Sequence, residues 1–416
     1  MNIIFLTLAR IENIEARGIY TDLMRKFRDG GHQVYIVSAN ERRHGLKTSL
    51  KEDHCVWILN VKTLNIQKTN VLEKGLGMLL LERQYRHAIR RYLKGVEFDL
   101  ILYSTPPITF TNVVRFLKKR NPQAISYLLL KDIFPQNAVD MRMFSKRSVF
   151  YHFFREKEKA LYKASDFIGC MSDANVEYLR THNSYYQRWR VEVAPNSIEL
   201  RQASDASTGS ATERKDIREK YGLPTNIPIF IYGGNLGKPQ GIDYLIKCLE
   251  ENKYRDDCFF VIVGNGTEFP KLQAWYDESL RLEETKENPR PLRVRIMKGL
   301  PREEYEQLVR ACDVGLIFLD HRFTIPNYPS RLLSYLENKM PVICATDVNT
   351  DIGKIAEQNG YGYWCESVHT INFTVLVDRF LAEPERIKRM GERGYEFLKN
   401  NYLVEHTYNA IMKHFK

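Results

Sequence analysis

The stretch from Asp313 to Asp347 constrains the fold most, because it has the pattern strand, loop, helix, strand. The apolar run Gly315 to Leu319 is bounded by aspartates, as expected for a strand buried on both faces of a parallel sheet. Pro329 suits the first turn of a helix, where its fixed φ is already helical and its missing N–H needs no partner. The stretch therefore predicts a βαβ unit of an α/β fold.

The predicted helix starts just beyond the carboxyl end of a parallel strand, where ligands bind in open α/β sheets. The free N–H groups of Ser330 and Arg331 would favour an anion such as a phosphate. The Arg331 side chain would add a charge-assisted fork to the same anion. An ordinary βαβ unit with a solvated arginine explains these residues equally well, and both interpretations stay open at this point.

Strand and helix patterns alternate through both halves of the 416 residues, which is enough chain for two domains. Predicted strands are 2–8, 32–38, 99–103, 124–130, 167–172, 191–194, 227–232, 259–263, 294–297, 314–319 and 342–345. The segment 202–212 is small, polar and aperiodic, as in a loop near a domain boundary. We predict doubly wound domains over 1–199 and 200–391 facing each other across a cleft, and a last helix over 392–416 that crosses back onto the first domain.

Composition narrows the class of protein but not its function. With 44% apolar and 27% charged residues, the chain has the composition of a globular protein, and no run approaches the roughly 18 apolar residues of a membrane span. The N-terminus lacks the features of a signal peptide, which predicts a cytoplasmic protein. Seven cysteines without C-x-x-C spacing predict reduced thiols, mostly in the core. A net charge of +11 indicates anionic partners.

A glycine-rich loop, Gly233-Gly-Asn-Leu-Gly-Lys-Pro-Gln-Gly241, separates a predicted strand from a predicted helix over 242–252. Glycines such as Gly234 would let the backbone approach a ligand, the helix N-terminus would favour an anion, and Lys238 would supply a positive charge. Together they predict a phosphate cradle, in which Asn235 is also a candidate donor-binding residue. A second glycine turn at Gly264 follows the next strand and would pass under a nucleoside. Tight βα turns are the alternative for both loops.

Taken together, several segments resemble the second domain of family 4 glycosyltransferases with the GT-B fold. They are Gly234-Asn-Leu-Gly with Gln240-Gly241, Val263-Gly-Asn-Gly, Gly299-Leu-Pro-Arg-Glu-Glu-Tyr305, Ala311-Cys-Asp-Val-Gly-Leu-Ile, Pro329-Ser-Arg, Ser334-Tyr-Leu and Pro341-Val-Ile. In the first half, Ser104-Thr-Pro-Pro, Lys131-Asp-Ile-Phe-Pro-Gln-Asn-Ala138 and Ala194-Pro-Asn resemble bacterial N-acetylfucosamine transferases of surface polysaccharide assembly. The resemblance implies retaining transfer of a sugar from a nucleotide donor without a required metal. We expect the donor to be a UDP-linked sugar and expect no cofactor.

The chain departs from this family at two positions where a pair of glutamates is usual, which are Pro326 and Ser334 here. Ser334 would still hydrogen-bond a ribose hydroxyl but brings no charge. The usual Arg and Lys of the glycine loop fall on Asn235 and Gln240, so Lys238 and Arg331 are left to neutralise the diphosphate. Donor contacts are therefore expected to differ from the family's, or activity to be lost.

On the acceptor side, Asp132 is the residue expected nearest the acceptor, since this segment faces the cleft in the resembling family. Its carboxylate would orient the attacking hydroxyl or accept its proton. An aspartate that only caps the turn before Pro135 is the alternative. Arg17 with Gly18, and Ser104 with Thr105, are the expected acceptor-side loops.

Two segments have the composition of membrane-contacting surfaces. The basic helix over 79–94 is predicted to place its apolar face in the core, whereas the segment 141–155 mixes aromatic and basic residues that would bind an anionic bilayer. The prediction is thus a cytoplasmic enzyme, peripheral on the inner face of the cell membrane, with a nucleotide-sugar donor, a lipid-linked or oligosaccharide acceptor and no nucleic-acid partner. A nucleotide-sugar 2-epimerase and an inactive nucleotide- or glycan-binding subunit are the alternatives.

Overall fold

A computed structural model describes residues 1–66, 69, 71–200 and 211–415, and it divides the chain into two compact units. Unit 1 comprises Met1–Glu199 with Leu403–Lys416, and unit 2 is Leu200–Tyr402. The predicted loop over 202–212 lies outside the described residues except for its last two positions, which begin a helix.

Unit 1 is built on an eight-stranded sheet in the order β3-β4-β2-β1-β5-β6-β7-β8, parallel except for the β3–β4 pair. Its strands are β1 (Asn2–Thr7), β2 (Gln33–Glu41), β3 (Ser49–Asp53), β4 (Val56–Thr63), β5 (Leu100–Ser104), β6 (Ile125–Leu130), β7 (Phe167–Cys170) and β8 (Val191–Val193). Its first six helices are α1 (Ile19–Asp29), α2 (Val71–Tyr92), α3 (Thr111–Arg120), α4 (Gln136–Asp140), α5 (Val149–Lys163) and α6 (Asp173–His182).

The central strands of this sheet are apolar over almost their whole length because helices cover both faces. In β1, Phe5 pairs in register with Ile36 of β2 and Leu102 of β5, and all three are fully buried. The antiparallel pair was not predicted, since β3 (Ser49–Asp53) is a polar edge strand with no buried residue.

Unit 2 is a six-stranded parallel sheet in the order β11-β10-β9-β12-β13-β14. Its strands are β9 (Ile229–Asn235), β10 (Phe259–Asn265), β11 (Val294–Lys298), β12 (Val314–Phe318), β13 (Val342–Thr346) and β14 (Gly362–Glu366). Its helices are α7 (Ala211–Lys220), α8 (Ile242–Asn252), α9 (Phe269–Glu284), α10 (Arg302–Arg310), α11 (Arg331–Glu337), α12 (Ile352–Gln358), α13 (Thr370–Leu381) and α14 (Pro384–Asn401). Each unit is therefore a Rossmann-like α/β domain.

The long last helix expected over 392–416 is in fact two helices. α14 belongs to unit 2 and ends at Asn401, whereas α15 (Val404–Met412) belongs to unit 1 and packs against α1. Between them Leu403 is extended and forms a parallel bridge with Ile198, and the Val404 amide donates to the Ile198 carbonyl at 3.0 Å. This pairing interrupts the helix at the point where the chain returns to unit 1.

Two composition-based predictions can be compared with the described residues. Six of the seven cysteines are free and buried, and Cys55 is free and exposed, so the thiol prediction is confirmed. No helix in the described part of the chain is long and apolar enough to span a bilayer.

Candidate active site

The candidate donor site lies at the carboxyl ends of the unit 2 strands, where Arg331 approaches the glycine-rich end of β9. The Arg331 guanidinium carbon is 4.2 Å from the centre of the Tyr232 ring. A Cβ on Gly234 would lie 3.4 Å from Nη2 of Arg331, and Gly234 has a φ of 128°, a conformation that side chains disfavour. The absence of a side chain at Gly234 thus lets this cation lie against the backbone.

One nitrogen of this guanidinium has no partner in the described protein. Nη1 of Arg331 is buried and makes no hydrogen bond. A buried donor without an acceptor costs about 1–3 kcal/mol. An anion that accepted a bond from Nη1 would remove that penalty, so the arrangement favours an anionic ligand here.

Two further tyrosines hold the strand ends around Arg331. The Tyr335 hydroxyl accepts a bond from the Gly233 amide at 3.1 Å and donates to the Ile231 carbonyl at 3.2 Å. A Cβ on Gly233 would collide with the Tyr305 hydroxyl, so glycine is required for this packing. Burial raises the pKa of Tyr305 to about 12, so its hydroxyl stays neutral at physiological pH. Tyr305 and Tyr335 lie in the segments that resemble the family, but this packing was not predicted from the sequence.

The glycine loop differs from the prediction in its boundaries. Gly234 and Asn235 end strand β9 rather than forming a loop, and Gly264 of β10 packs so closely on Gly234 that a Cβ there would collide with the Gly234 carbonyl. The Asn235 amide donates to the Gln240 side chain at 2.9 Å, which holds the loop closed. Lys238 is exposed in a short 3-10 turn, and its ammonium makes no ion pair within the described residues.

The prediction that Pro329 forms the first turn of the helix is wrong. α11 begins at Arg331 with Ser330 as its N-cap, and Pro329 precedes it in the loop. Ser330 is exposed, and Ser334 lies one turn further along and is half-buried. Pro326, at the other family glutamate position, is buried. Arg331 therefore brings the only formal charge among these four positions.

The loop before Arg331 is fixed by two sets of polar contacts. Arg322 forms a bidentate ion pair with Asp320, with N–O distances of 2.8 and 2.7 Å. The Asn327 amide donates to Thr350 Oγ1 at 3.1 Å, and that hydroxyl donates to Asp347 Oδ2 at 2.8 Å. Burial raises the pKa of Asp347 to about 6, against the hydrogen bonds from Thr350. These contacts position Arg331 without a glutamate in the loop.

In unit 1, Asp132 follows β6 in the loop that leads to α4. Its Oδ1 accepts a hydrogen bond from the side-chain amide of Asn137 at 2.7 Å, and the carboxylate also accepts from the Ile133 backbone amide. Burial raises the pKa of Asp132 to about 6, an effect that the bond from Asn137 opposes. A carboxyl whose pKa lies near physiological pH suits general base chemistry. The bond from Asn137, five residues along the chain, also fits the alternative role of Asp132 as a turn cap.

Lys131, next to Asp132, is a residue that the sequence analysis did not single out. Its ammonium donates to the Ala194 carbonyl at 3.2 Å, at the carboxyl end of β8. Burial lowers the pKa of Lys131 to about 7. No carboxylate pairs with it in the described part of the chain, so a titrating cation lies beside the candidate base.

Ser104 and Thr105 are buried, and Thr105 positions the Asp132 loop rather than lying open to a ligand. Its hydroxyl accepts from the amides of Lys131 at 2.9 Å and Asp132 at 3.1 Å. Ser104 Oγ is 3.5 Å from the Thr7 hydroxyl. The structure therefore brings Ser104, Thr105 and Asp132 together at one edge of the sheet.

Arg17 and Gly18 are also tied to protein groups. The Arg17 guanidinium donates to the Glu199 carbonyl at 2.8 Å, and the Gly18 amide donates to Asp22 at 2.8 Å. Buried Arg25 joins the same network through ion pairs with Asp22 at 2.8 Å and Glu199 at 2.9 Å. This loop is thus anchored to the last residue of the first segment of unit 1.

The segment 141–155 exposes large apolar side chains beside the Asp132 loop. Val149, Phe150 and Phe153 at the start of α5 are 83, 67 and 44% exposed. The expectation that Phe144 and Phe154 also face outward needs correction, because both are half-buried against Phe134 at ring-centre distances of 6.3 and 5.0 Å. Phe134 needs these partners to cover its ring. An aromatic cluster therefore connects the exposed surface to the loop that carries Asp132.

The fold and the comparisons agree on a class of protein. Two Rossmann-like units in one chain define the GT-B fold, which the solved structures below share. Residues 213–397 match the model of the family described as glycosyl transferases group 1.

Similar proteins point to the same class. A probable glycosyltransferase, WbjE of Pseudomonas aeruginosa, is 23% identical over 80% of this chain and 78% of its own length. Anabaena HepE, solved in complex with UDP and glucose, has a TM-score of 0.68 at 14% identity and covers 100% of this chain and 99% of its own. Sucrose-phosphate synthase from Thermosynechococcus elongatus has a TM-score of 0.72 at 14% identity over 99% of this chain and 98% of its own. These matches support a glycosyltransferase of the GT-B fold.

Proposed function

We propose that the protein is a retaining glycosyltransferase that moves a sugar from a nucleotide-diphosphate donor, UDP-linked, to a lipid-linked or oligosaccharide acceptor in bacterial surface polysaccharide synthesis. Unit 2 binds the donor and unit 1 binds the acceptor. The reaction uses no metal ion, and the enzyme works in the cytoplasm at the inner face of the cell membrane.

The observation that carries this proposal is the Arg331 guanidinium, stacked on Tyr232 beside Gly234 with a buried N–H lacking a partner. A diphosphate supplies the acceptor oxygens and the negative charge that this group needs. The UDP bound by the similarly folded Anabaena HepE supports a uridine nucleotide as the donor. Ser334, one turn along α11 from Ser330, is the proposed partner of a ribose hydroxyl.

In the proposed reaction the acceptor hydroxyl oxygen bonds to C1 of the donor sugar on the same face from which the bond between C1 and the phosphate oxygen breaks, so the configuration at C1 is retained. The nucleoside diphosphate leaves with an added negative charge, which Arg331 stabilises. The hydroxyl proton passes to the Asp132 carboxylate, whose pKa of about 6 keeps it largely ionised at pH 7. In this proposal Asp132 thus takes up the proton of the acceptor hydroxyl, and Arg331 stabilises the charge of the leaving group.

The exposed start of α5 supports a lipid-linked acceptor in this proposal. Phe150 and Phe153 would insert shallowly into a bilayer, with the exposed cations Arg142, Lys146 and Arg147 attracted to anionic lipid. Because Phe154 and Phe134 connect this surface to the Asp132 loop, a lipid-linked acceptor would present its sugar near Asp132.

The test is incubation with radiolabelled UDP- and GDP-sugars, with and without a polyprenyl-linked acceptor. Labelled product that extracts with the lipid only when the acceptor is present supports the proposal. A labelled, epimerised free sugar nucleotide would identify an epimerase instead and would overturn it.

Pro326 and Ser334 favour one rival function, a nucleotide- or glycan-binding subunit without activity. Neither side chain can replace the carboxylate usual at its position in the resembling family. Nucleotide binding by calorimetry without transfer to any acceptor, under conditions where Arg331→Ala weakens the binding, would establish this rival.

A further inference from the structure

We propose that Arg86, Arg90 and Arg120 form a binding site for the phosphate of an anionic lipid headgroup. The site lies on the outer surface of α2 and α3 in unit 1, apart from Asp132 and from the exposed start of α5. It extends the membrane contact of the proposed function, but it needs neither donor nor acceptor to operate.

The three arginines surround one aromatic ring. Their guanidinium carbons lie 5.7, 4.9 and 5.6 Å from the centre of the Phe116 ring, for Arg86, Arg90 and Arg120 respectively. All three charges therefore lie within about 11 Å of one another, where like charges repel. Contact with one ring holds the three cations close together despite this repulsion.

This cluster lacks a countercharge among residues 1–66, 69, 71–200 and 211–415, where none of its members forms an ion pair. Glu82, four residues before Arg86 on α2, is the natural partner, but its carboxylate accepts instead from the Asn112 amide at 2.6 Å and the Asn112 side chain at 2.7 Å. Nε of Arg86 is buried without a hydrogen bond. Arg120 donates one weak hydrogen bond, to the Leu93 carbonyl at 3.4 Å. A phosphate would supply both the charge and the acceptors that the cluster lacks.

The outer face of α2 indicates that the phosphate belongs to a bilayer. The inward face buries Leu81, Tyr85, Ala88 and Ile89, which confirms the prediction that this side of the helix is core. The opposite face, read at helical spacing, carries Leu76 and Leu79 and then the arginines. Leu76 and Leu79 are 52 and 64% exposed.

A face with leucines at one end and arginines at the other is typical of a helix lying at a membrane surface. Nucleic acid would use the same cations but gives no reason for two exposed leucines. α3 also packs against α5, so this surface adjoins the helix whose exposed phenylalanines are proposed to enter the bilayer.

The test compares binding of the full chain to vesicles of phosphatidylcholine with and without phosphatidylglycerol. Each basic residue near an anionic surface contributes about 1 kcal/mol, or about 5-fold in affinity, so Arg86→Gln with Arg90→Gln should weaken binding by about 30-fold. The matched control, Arg115→Gln with Lys119→Gln, removes two exposed charges from α3 and leaves the cluster intact. This control variant should lose several-fold less affinity for the anionic vesicles than the Arg86 and Arg90 double variant. Equal losses in the two variants would overturn the site in favour of a diffuse charge effect.

Three further measurements separate the remaining explanations. Arg90→Gln alone changes an exposed residue, keeps Arg86 and should lose about 5-fold, which guards against unfolding of the double variant. Sodium phosphate should release the wild type from vesicles more than sodium chloride of equal ionic strength, and should lose this advantage in the Arg86 and Arg90 double variant. A single-stranded RNA oligonucleotide that binds as tightly as the vesicles, with the same loss in that variant, would overturn the lipid assignment. Each measurement is made without a sugar nucleotide, so its outcome is independent of glycosyl transfer.

Discussion

Arg331 lies with its guanidinium carbon 4.2 Å from the ring centre of Tyr232, two residues that are 99 positions apart in the chain. A desolvated cation–π contact of this kind contributes about 2 kcal/mol. The contact holds the arginine against the end of β9 before any ligand arrives. Because the group is already ordered, a diphosphate would bind without having to immobilise it.

Replacing Arg331 tests the donor site. Arg331→Ala should weaken UDP binding by about 1.5–3 kcal/mol, the range for hydrogen bonds to charged groups. Isothermal calorimetry would measure the change, with Arg281→Ala as the control because Arg281 is an exposed residue of α9 that pairs with Glu278. Unchanged UDP affinity in Arg331→Ala, or an equal loss in Arg281→Ala, would refute the assignment.

Replacing Asp132 tests the candidate base. Asp132→Asn keeps the shape of the side chain but removes its charge, so kcat should fall by roughly 10²-fold or more while donor affinity is unchanged. The carboxylate is the active form, so wild-type activity should rise as the pH rises through about 6, and this rise should be absent in the variant. If donor affinity and turnover fell together, Asp132 would be a structural residue.

The buried ammonium of Lys131 predicts a pH dependence of stability. Its pKa is about 7 in the folded protein and close to the ordinary value of about 10.4 when unfolded. Between these values the unfolded chain binds the extra proton, so the free energy of unfolding should rise with pH, and below about pH 7 this contribution should be constant.

Lys131→Met removes the titrating group. The free energy of unfolding of the wild type should therefore rise relative to that of the variant from pH 7 to pH 9. Urea unfolding of both proteins at pH 7, 8 and 9 would measure it. A difference that stays constant across this range would mean that Lys131 keeps its proton in the folded protein.

Membrane association by α5 is tested with Phe150→Ser and Phe153→Ser together. Both side chains are well exposed, so the double variant should stay folded and should sediment less with anionic vesicles even at low salt. Raising the salt should release the wild type only in part, because screening weakens the charges but not the apolar insertion. Ile371→Ser with Val375→Ser, two exposed apolar residues of α13 in unit 2, is the matched control. A folded Phe150 and Phe153 variant that sediments like wild type would exclude this surface.

Local sequence patterns predicted much of each unit. The helix expected over 242–252 is α8, and the strand expected over 314–319 is β12 (Val314–Phe318), because a buried apolar run with polar ends leaves few alternatives. β3 was missed because a polar edge strand has no such signal. β4 (Val56–Thr63) and β14 (Gly362–Glu366) were also missed, although most residues of β4 are buried and most are apolar. α11 begins two residues later than expected, because Ser330 rather than Pro329 precedes its first turn.

The candidate sites depend on contacts that no local pattern contains. The stacking of Arg331 on Tyr232 requires the register between β9 and the β12–α11 connection. The bond from Arg17 to Glu199 requires that the two ends of the segment Met1–Glu199 meet. The glycines at 233 and 315 were the available signal for packed aromatics, since Tyr305 and Tyr335 occupy the space that their side chains would fill.

The return of the chain to unit 1 at Leu403 has a consequence for how the protein folds during synthesis. Unit 2 is continuous in sequence, whereas unit 1 needs α15, whose Thr407 hydroxyl bonds the Pro195 carbonyl at 2.9 Å and whose Ile411 is fully buried. At the ribosome, residues 1–199 emerge first yet must wait for residues 404–412 to cover α1. Unit 1 is thus completed only after unit 2 has been made. Loss of α15 would expose the apolar surface of α1, although the two helices are far apart in the sequence.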